Sequence, residues 1–329
     1  MMISLPTHKA GWNRAAVILL VALTALWGFT SVVEGKGINS KAGTTGFSFL
    51  KLGVGAKAIA MGGAFSAVAD DPTAIYYNPA GTINLSGKQF LAGYHNYVLD
   101  MQSGFVAGTL PLMDKHRLGF FVDYLNYGNF TETEADGQPT GNDFSGGDFL
   151  IGVNFSTHLL PELSAGVNAK FMSEYAAGYS AEAMAVDLGL LYKFKDGRTS
   201  AALSVNNLGV VLSGFSGGDH KDDLPLSFRT GVAHSLRELP LVVALEGVLP
   251  NDNDPYLNVG LEMSALQPLY LRLGYSTFGQ NYKTNSNSDA LGGLSFGFGV
   301  DYQKYQISYA FMPYLDLGSS HRVTILGGF

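Results

Sequence analysis

The sequence predicts an all-β protein: a transmembrane antiparallel β-barrel of about 14 strands, with an N-terminal, partly helical hatch inside its lumen. Three observations predict this fold. Beyond about residue 87, apolar residues alternate with small or polar ones, as in 148–156 and 257–263, and this alternation gives a strand one apolar and one polar face. Such segments recur with the length typical of strands in bacterial outer-membrane barrels. Beyond the N-terminus, no run of residues is apolar for long enough to form a spanning helix.

The composition agrees with this class and excludes others. Of 329 residues, 14% are charged and 47% are hydrophobic, and 42 are glycine. The net charge of −7 argues against nucleic acid as a partner. Because the sequence has no cysteine, disulfides, thiolate metal sites and a lipid-modified N-terminal cysteine are excluded.

The first 35 residues have the pattern of a secretory signal peptide. Lys9 and Arg14 precede an apolar run at 15–29, as in the charged and apolar regions of such signals. The cleavage site is left open up to residue 42, and a membrane anchor is the alternative, for which the run is short. We therefore divide the chain into a signal peptide (1–35), a hatch segment (43–87) and a barrel (88–329).

Fourteen strand candidates follow the hatch segment, an even number, as bacterial single-chain barrels require. Long polar connections follow strands three, seven and eleven (128–146, 208–224 and 277–289), whereas turns such as Asp196-Gly197 are short. Since such barrels have long outer loops and short periplasmic turns, strand one runs outward. The strands are expected near 88–97, 102–112, 115–127, 147–157, 162–173, 182–194, 198–207, 225–235, 240–249, 255–264, 267–276, 290–301, 303–312 and 320–329.

The inward faces of these strands carry small residues and about one charge per strand. Opposite charges fall on neighbouring strands, and we expect them to pair because an unpaired charge in a narrow lumen is costly. They serve either a polar permeation path or, as we favour, salt bridges that hold the wall and a plug. The pairs are Lys170 with Asp187, Arg229 with Glu246, and Glu262 with Arg272. Inward glycines leave room for the hatch: Gly119, Gly152, Gly166, Gly189, Gly260, Gly274 and Gly297.

Residues 43–87 lack the strand pattern. Segment 53–65 is small, apolar and interrupted by glycines, which suggests a short, closely packed helix. Asp71-Pro72 provides an N-cap and a first-turn proline for a second helix over 73–77. That helix is expected to end before Asn78-Pro79, because the residue before a proline avoids the helical conformation. An apolar segment of this kind most simply folds into the lumen as a hatch.

Four short motifs in the hatch segment, at 46–52, 55–64, 69–74 and 77–81, resemble the PorV/PorQ family of outer-membrane barrels. That family in turn resembles the FadL-type long-chain fatty-acid transporters. The resemblance implies fourteen strands and a hatch with an Asn-Pro-Ala element. The hatch-motif positions in this chain are Gly55, Met61, Gly62, Gly63, Asp70, Asp71, Pro72, Asn78, Pro79, Ala80 and Gly81.

The resemblance also implies a function. PorV/PorQ proteins are non-enzymatic barrels implicated in type IX protein secretion or surface attachment, so secretion subunits or cargo C-terminal domains are the expected partners, contacted by loops 128–146, 208–224 and 277–289. The alternative is FadL-like transport of hydrophobic small molecules. The hatch would then contact the ligand through Phe65, Ile75, Tyr76 and Tyr77, which otherwise only pack the hatch against the wall.

Other chemistry is not indicated by the sequence. We expect no catalytic residues and no cofactor, and outer-membrane lipids around the barrel. Residues 251–254, Asn-Asp-Asn-Asp, lack the glycine and distal glutamate of a known calcium loop, so we favour a solvated turn. The terminal Phe329, preceded by Val323 and Ile325, resembles the C-terminal signature used for barrel insertion.

Overall fold

The computed structural model describes residues 40–113, 115–215, 221–283, 289 and 291–329. The predicted signal peptide lies outside the described residues. The strands are β1 (Gln89–Asn96), β2 (Gln102–Leu112), β3 (His116–Thr133), β4 (Pro139–His158), β5 (Leu163–Ala176), β6 (Tyr179–Lys193), β7 (Thr199–Ser213), β8 (Ser227–Ser235), β9 (Leu241–Pro250), β10 (Tyr256–Leu266), β11 (Leu269–Ser276), β12 (Leu294–Tyr302), β13 (Tyr305–Pro313) and β14 (Ser319–Gly328).

Each strand pairs antiparallel with the next along the chain, and β1 pairs with β14, so the sheet closes on itself. At the closure Gln89 lies opposite Gly328 and Asn96 opposite His321. A closed sheet is the one β arrangement that satisfies its backbone hydrogen bonds within hydrocarbon. The predicted fold class, a fourteen-strand antiparallel transmembrane barrel with a hatch in its lumen, is confirmed.

The two faces of the strands follow the alternation of the sequence. In β4 the side chains of Phe149, Ile151, Val153 and Phe155 are exposed on the outside, where a membrane barrel meets lipid. The residues between them point inward and are buried: Leu150, Gly152, Asn154 and Ser156. The barrel therefore has an apolar outer surface and a mixed, largely polar inner surface.

Two of the predicted loops are shorter than expected, because strands continue into them. Most of loop 128–146 is a hairpin, since β3 extends to Thr133 and β4 starts at Pro139. Both faces of that polar hairpin are exposed, so it lacks the apolar alternation that marks a spanning strand. β7 runs six residues into loop 208–224. A bulge at Asn207 (φ 65°) shifts its register with β6 and interrupts the alternation there.

The hatch segment contains two single α-helical turns, α1 (Ala56–Ala60) and α2 (Ala74–Tyr77), and two 3-10 helices, Ser48–Lys51 and Pro79–Asn84. Asp71 Oδ1 accepts a hydrogen bond from the Thr73 backbone N–H (2.7 Å), which caps the turn before α2. Further 3-10 helices lie at Thr277–Tyr282 and Leu315–Leu317. Within the described residues, none of the helices has the length and apolar character needed to cross a membrane.

The connections that follow odd-numbered strands share one end of the barrel, which we call the outer end; the other is the inner end. At the inner end the last residue meets the start of β1, where the Phe329 N–H donates to the Lys88 carbonyl (2.9 Å). The Phe329 ring stacks on Phe90, with centroids 5.7 Å apart. Its role as an insertion signal stays a prediction.

Candidate functional site

Glycines on the inner faces of the strands bring the wall into direct contact with the hatch. A Cβ atom on Gly166 would lie 2.3 Å from the Pro79 carbonyl carbon, and one on Gly274 would lie 2.0 Å from the Gly62 nitrogen. Only glycine allows so close an approach. Six of the seven inward glycines face the hatch in this way: Gly119, Gly166, Gly189, Gly260, Gly274 and Gly297.

The seventh glycine, Gly152, faces another part of the wall. A Cβ atom there would lie 2.3 Å from the ring of Phe121, on the neighbouring strand. Gly231, which the sequence analysis did not single out, faces the hatch instead, since its Cβ atom would lie 2.5 Å from Ser66 Oγ. The expectation that inward glycines make room for the hatch is therefore confirmed except at Gly152.

The hatch-motif glycines allow close packing around α1. Gly55 has φ 78°, and a Cβ atom on it would lie 2.5 Å from Thr73 Cγ2. Gly62 has φ 66° and packs against the backbone of Tyr275 in β11. Both conformations favour glycine. Gly63 lies beside Asn258, and Gly81 packs against the methyl group of Ala69.

The Asn78 side chain links two segments of the hatch to each other and to the wall. Its Nδ2 donates to the carbonyl oxygens of Ser66 (3.2 Å) and Leu190 (3.0 Å), and its Oδ1 accepts from the Ala80 N–H (3.1 Å). The side chain is fully buried, so each of these bonds replaces water that is absent there. The remaining motif residues Met61, Asp71, Pro72, Pro79 and Ala80 are also buried.

The three predicted ion pairs are all formed across neighbouring strands. Their nitrogen–oxygen distances are 2.6 Å for Lys170–Asp187, 2.8 Å for Arg229–Glu246 and 2.6 Å for Arg272–Glu262. Two of the carboxylates also bind the hatch: Glu246 accepts from the Ser66 N–H (2.8 Å), and Glu262 accepts from the Lys57 ammonium (2.9 Å). This geometry fits the interpretation that the pairs hold a plug.

Lys57 is the charged residue of α1, and its ammonium group lies inside the lumen. Its Nζ lies 2.8 Å from Asp70 and 2.9 Å from Glu262. Burial by itself lowers the pKa of Lys57, but the two carboxylates outweigh it and raise the pKa above the ordinary lysine value. Lys57 therefore stays charged and ties the first half of the hatch to β10. Asp70, a hatch-motif residue, is exposed on its other side.

Wall side chains also hold the hatch by its backbone carbonyl groups. Arg322 in β14 donates to the carbonyl oxygens of Gly53 (2.6 Å) and Leu52 (2.8 Å). On the opposite side, short polar side chains do the same. These bonds run from Asn168 to Ile75 (2.7 Å), from Ser204 to Tyr77 (3.0 Å), from Asn206 to Tyr76 (3.2 Å) and from Ser200 to Ala67 (2.7 Å).

Between the hatch and the outer end lies a cavity of about 310 Å³. The hatch forms its floor through Leu50–Gly53, Ile59 and Tyr77. The wall is built from the outer parts of strands β8, β10 and β13 and from the connections that follow β9, β11 and β13. This volume lies at the small end of the range for pockets that bind small molecules.

Five aromatic side chains form an arc around the cavity: Tyr97, Tyr256, Phe278, Tyr282 and Tyr314. Successive ring centroids are 5.3, 5.0, 5.9 and 5.0 Å apart along the order Tyr97, Tyr314, Tyr282, Phe278, Tyr256. Burial raises the pKa of Tyr282 and Tyr314 above the usual phenol value, so their hydroxyl groups stay neutral. We call these five residues the aromatic arc.

The charges at the cavity are paired. Lys51 Nζ lies 2.7 Å from Asp252 Oδ2, and Asp252 Oδ2 also accepts from the Thr45 hydroxyl (2.6 Å). Arg229 is paired with Glu246 and stacks over the ring of Tyr77, 5.5 Å from its centroid. Because these charged groups are paired, a neutral apolar molecule bound in the cavity would not face an unpaired buried charge.

The predicted turn at 251–254 is only partly solvated. Asp252 is buried and holds the hatch through Lys51, because the connection after β9 folds over the lumen. Among the described residues, no group of three or more His, Asp or Glu side chains is arranged to hold a metal ion.

Of the four predicted ligand contacts, Tyr77 lines the cavity and the other three do not. Phe65 and Ile75 are fully buried between hatch and wall. The Tyr76 hydroxyl donates to the Leu50 carbonyl within the hatch. The aromatic arc was not predicted from the sequence, although the aromatic residues in the predicted outer connection 277–289 are a signal for it.

Comparison with known proteins supports the fold. No protein-family model matches the sequence, and no curated protein matches it. The structure is similar to the toluene transporter TbuX of Ralstonia pickettii (TM-score 0.58, 14% identity, 83% of this chain and 97% of that one). It is also similar to the toluene transporter TodX of Pseudomonas putida (0.53, 16%, 83% and 96%) and to a FadL homologue of Pseudomonas aeruginosa (0.54, 12%, 84% and 98%). The chain therefore has the barrel fold of FadL-type channels.

Proposed function

We propose that this protein is a bacterial outer-membrane channel for compact, neutral hydrophobic molecules, which bind in the outer cavity before they pass the hatch. One observation carries the proposal: a cavity lined by the aromatic arc, with its charges paired and the hatch as its floor. Apolar pockets with a few placed polar groups are typical of small-molecule sites. The fold shared with two toluene transporters and a FadL homologue supports this proposal over secretion.

The binding step is tested by titrating toluene into the purified, detergent-solubilised protein and measuring the heat of binding. Phe278→Ala and Tyr282→Ala each remove a ring from the arc, and each is expected to weaken binding about tenfold, the effect of losing roughly 1.4 kcal/mol of aromatic contact. Tyr302→Ala is the matched control, because that tyrosine is 66% exposed at the inner end. Hexadecanoate, a long and charged probe, is expected to bind about tenfold more weakly than toluene.

The proposal fails if toluene does not bind, or if Tyr302→Ala weakens binding as much as the arc variants do. Tighter binding of hexadecanoate would contradict the part of the proposal that concerns a compact, neutral ligand. Passage is tested separately, by uptake of toluene into proteoliposomes by the wild type and the two arc variants. If passage depends on the cavity, the variants reduce uptake at low toluene concentration.

Secretion, which the resemblance to PorV/PorQ proteins favours, remains the second candidate. The observation in its favour is the β3–β4 hairpin, whose exposed tip at 128–146 is an available contact surface. It is tested by deleting the gene and comparing the surface proteome with that of the parent strain. An unchanged surface proteome would exclude this role.

A further inference from the structure

Two carboxyl groups meet inside the barrel beside the start of the hatch. Asp148 in β4 and Glu174 in β5 are direct cross-strand partners, so their side chains lie next to each other on the inner face of the wall. Asp148 is 2% exposed, and none of the described residues donates a hydrogen bond to its Oδ1. Two adjacent carboxylates in such a place cannot both be ionised at low cost, whereas one shared proton gives a strong hydrogen bond.

Two further carboxylates and two phenols surround the pair. On β3, the Tyr127 hydroxyl donates to Asp148 Oδ2 (2.7 Å), and Asp123 lies nearby on the same strand. Asp222, in the connection before β8, lies beside Gly46 and Glu174. Tyr175 on β5 is the other phenol close to this cluster. The carboxylates of Asp123 and Asp222 add negative charge beside the pair, whereas the Tyr127 hydroxyl donates to Asp148 and so stabilises its ionised form.

The pair is joined to the hatch by one backbone bond. The N–H of Phe47 donates to Glu174 Oε2 (3.1 Å). Phe47 is buried and has φ 53°, a conformation that is unfavourable for a non-glycine residue and that its surroundings must hold. It directly precedes the 3-10 helix Ser48–Lys51, whose residues Ser48, Leu50 and Lys51 line the outer cavity.

We propose that Asp148 and Glu174 form a proton-dependent latch, which holds the start of the hatch against the wall and opens when their shared proton is lost. At low pH the proton joins the two side chains, and Glu174 accepts from Phe47. As the pH rises the proton passes to water, and the two carboxylates repel each other. Glu174, which is only half-buried, then turns toward water, and the N–H of Phe47 loses its acceptor. The floor of the cavity thus loosens on the side of residues 45–50.

The latch is tested by hydrogen–deuterium exchange of the whole protein in detergent micelles between pH 5 and 9, corrected for the intrinsic exchange rate. The readout is the peptide that covers residues 44–52. We expect its protection to fall at least tenfold as the pH rises in the wild type. Asp148→Asn is expected to abolish this change, since an amide donates permanently to Glu174 and still accepts from Tyr127. Glu132→Gln, an exposed carboxyl-to-amide change on the neighbouring β3, is the control and should keep the change.

The latch is ruled out if protection of this peptide does not depend on pH in the wild type, or if Asp148→Asn shows the same pH dependence. Glu174→Gln provides a second route if Asp148→Asn does not fold, because it removes the same proton-sharing pair and should also abolish the change. The test uses no ligand, so its outcome is independent of whether the proposed channel function is correct.

Discussion

The first half of the hatch, residues 44–65, and the second half, residues 66–87, meet the same wall through different side chains. The first half is held mainly by long charged groups, such as Lys57, Lys51 and Arg322. The second half is held mainly by short amides and hydroxyls, among them Asn78 and Ser204. A short side chain fixes the distance between hatch and wall, whereas a long flexible one keeps its contact through small displacements.

This difference matches the position of the cavity. Most of its floor belongs to the first half, whereas in the second half only Tyr77 reaches it. We infer that the second half is a fixed base and that the first half is the part able to adjust. Four changes test this comparison.

The largest effect is expected where the fixed base touches the wall. In Gly166→Ala the new methyl group would lie 2.3 Å from the backbone of Pro79, which must move. We expect a loss of about 3 kcal/mol or more in the free energy of unfolding, or no folded barrel. Gly108→Ala is the control, because a Cβ atom there has open space. Urea unfolding in lipid vesicles measures both, and equal stability of the two variants would contradict a fixed base.

The next change removes a charged contact of the first half. Lys57→Met leaves Glu262 with Arg272 as its partner and leaves Asp70 exposed to water. We expect a loss of about 3 kcal/mol, the low end for a broken buried pair, because one cation remains. Limited proteolysis should then cleave within 44–65 and leave 66–87 protected. Cleavage in both halves at the same rate would show that the hatch moves as one unit.

A pH effect is expected in the second half. Burial, assisted by the charge of Asp70, raises the pKa of Asp71 to about 6. The folded state therefore binds this proton more tightly than the unfolded state, and its stability falls as the pH rises from about 4 to 6, by up to about 3 kcal/mol. Asp71→Asn should lack this component. The check is the urea midpoint of both proteins at pH 4, 5, 6 and 7; parallel curves would refute it.

The smallest effect is expected for a single short contact of the fixed base. Ser200→Ala removes the bond from Ser200 Oγ to the Ala67 carbonyl (2.7 Å), at a cost of about 1 kcal/mol. If the base is held by many such contacts, Ser200→Ala leaves hydrogen exchange of 66–87 nearly unchanged. Full exposure of that segment in this variant would show that the base depends on one contact.

Much of the barrel was predictable because lipid and lumen impose a two-residue period on each strand. The same period placed Lys170 and Asp187 on the inner faces of neighbouring strands and Glu262 opposite Arg272, since it fixes which side chains face inward. Inward glycines indicated that the hatch lies in the lumen, because only glycine leaves room where the hatch packs directly against the backbone of a strand.

The aromatic arc was not predictable in the same way. Its members come from the ends of β1 and β10 and from connections whose folding over the lumen follows no sequence period. Phe65 and Ile75 are apolar, as ligand contacts often are, but they are buried in the packing of the hatch. Apolar character alone does not distinguish a residue that lines a cavity from one in a packed core. The outer hairpin of β3 and β4 was not predicted, because both of its faces contact water and its sequence therefore lacks the apolar–polar alternation of a spanning strand.

The pairing of Lys88 with Phe329 has a consequence for the order of assembly. The hatch precedes the first strand, and the barrel closes only when the last strand reaches the first. The last strand must therefore be synthesised before the ring can shut, and contacts this distant in sequence form slowly. The hatch fits the wall too tightly to be threaded through a finished ring. It has to be seated while the sheet is still open, so that the ring closes around it.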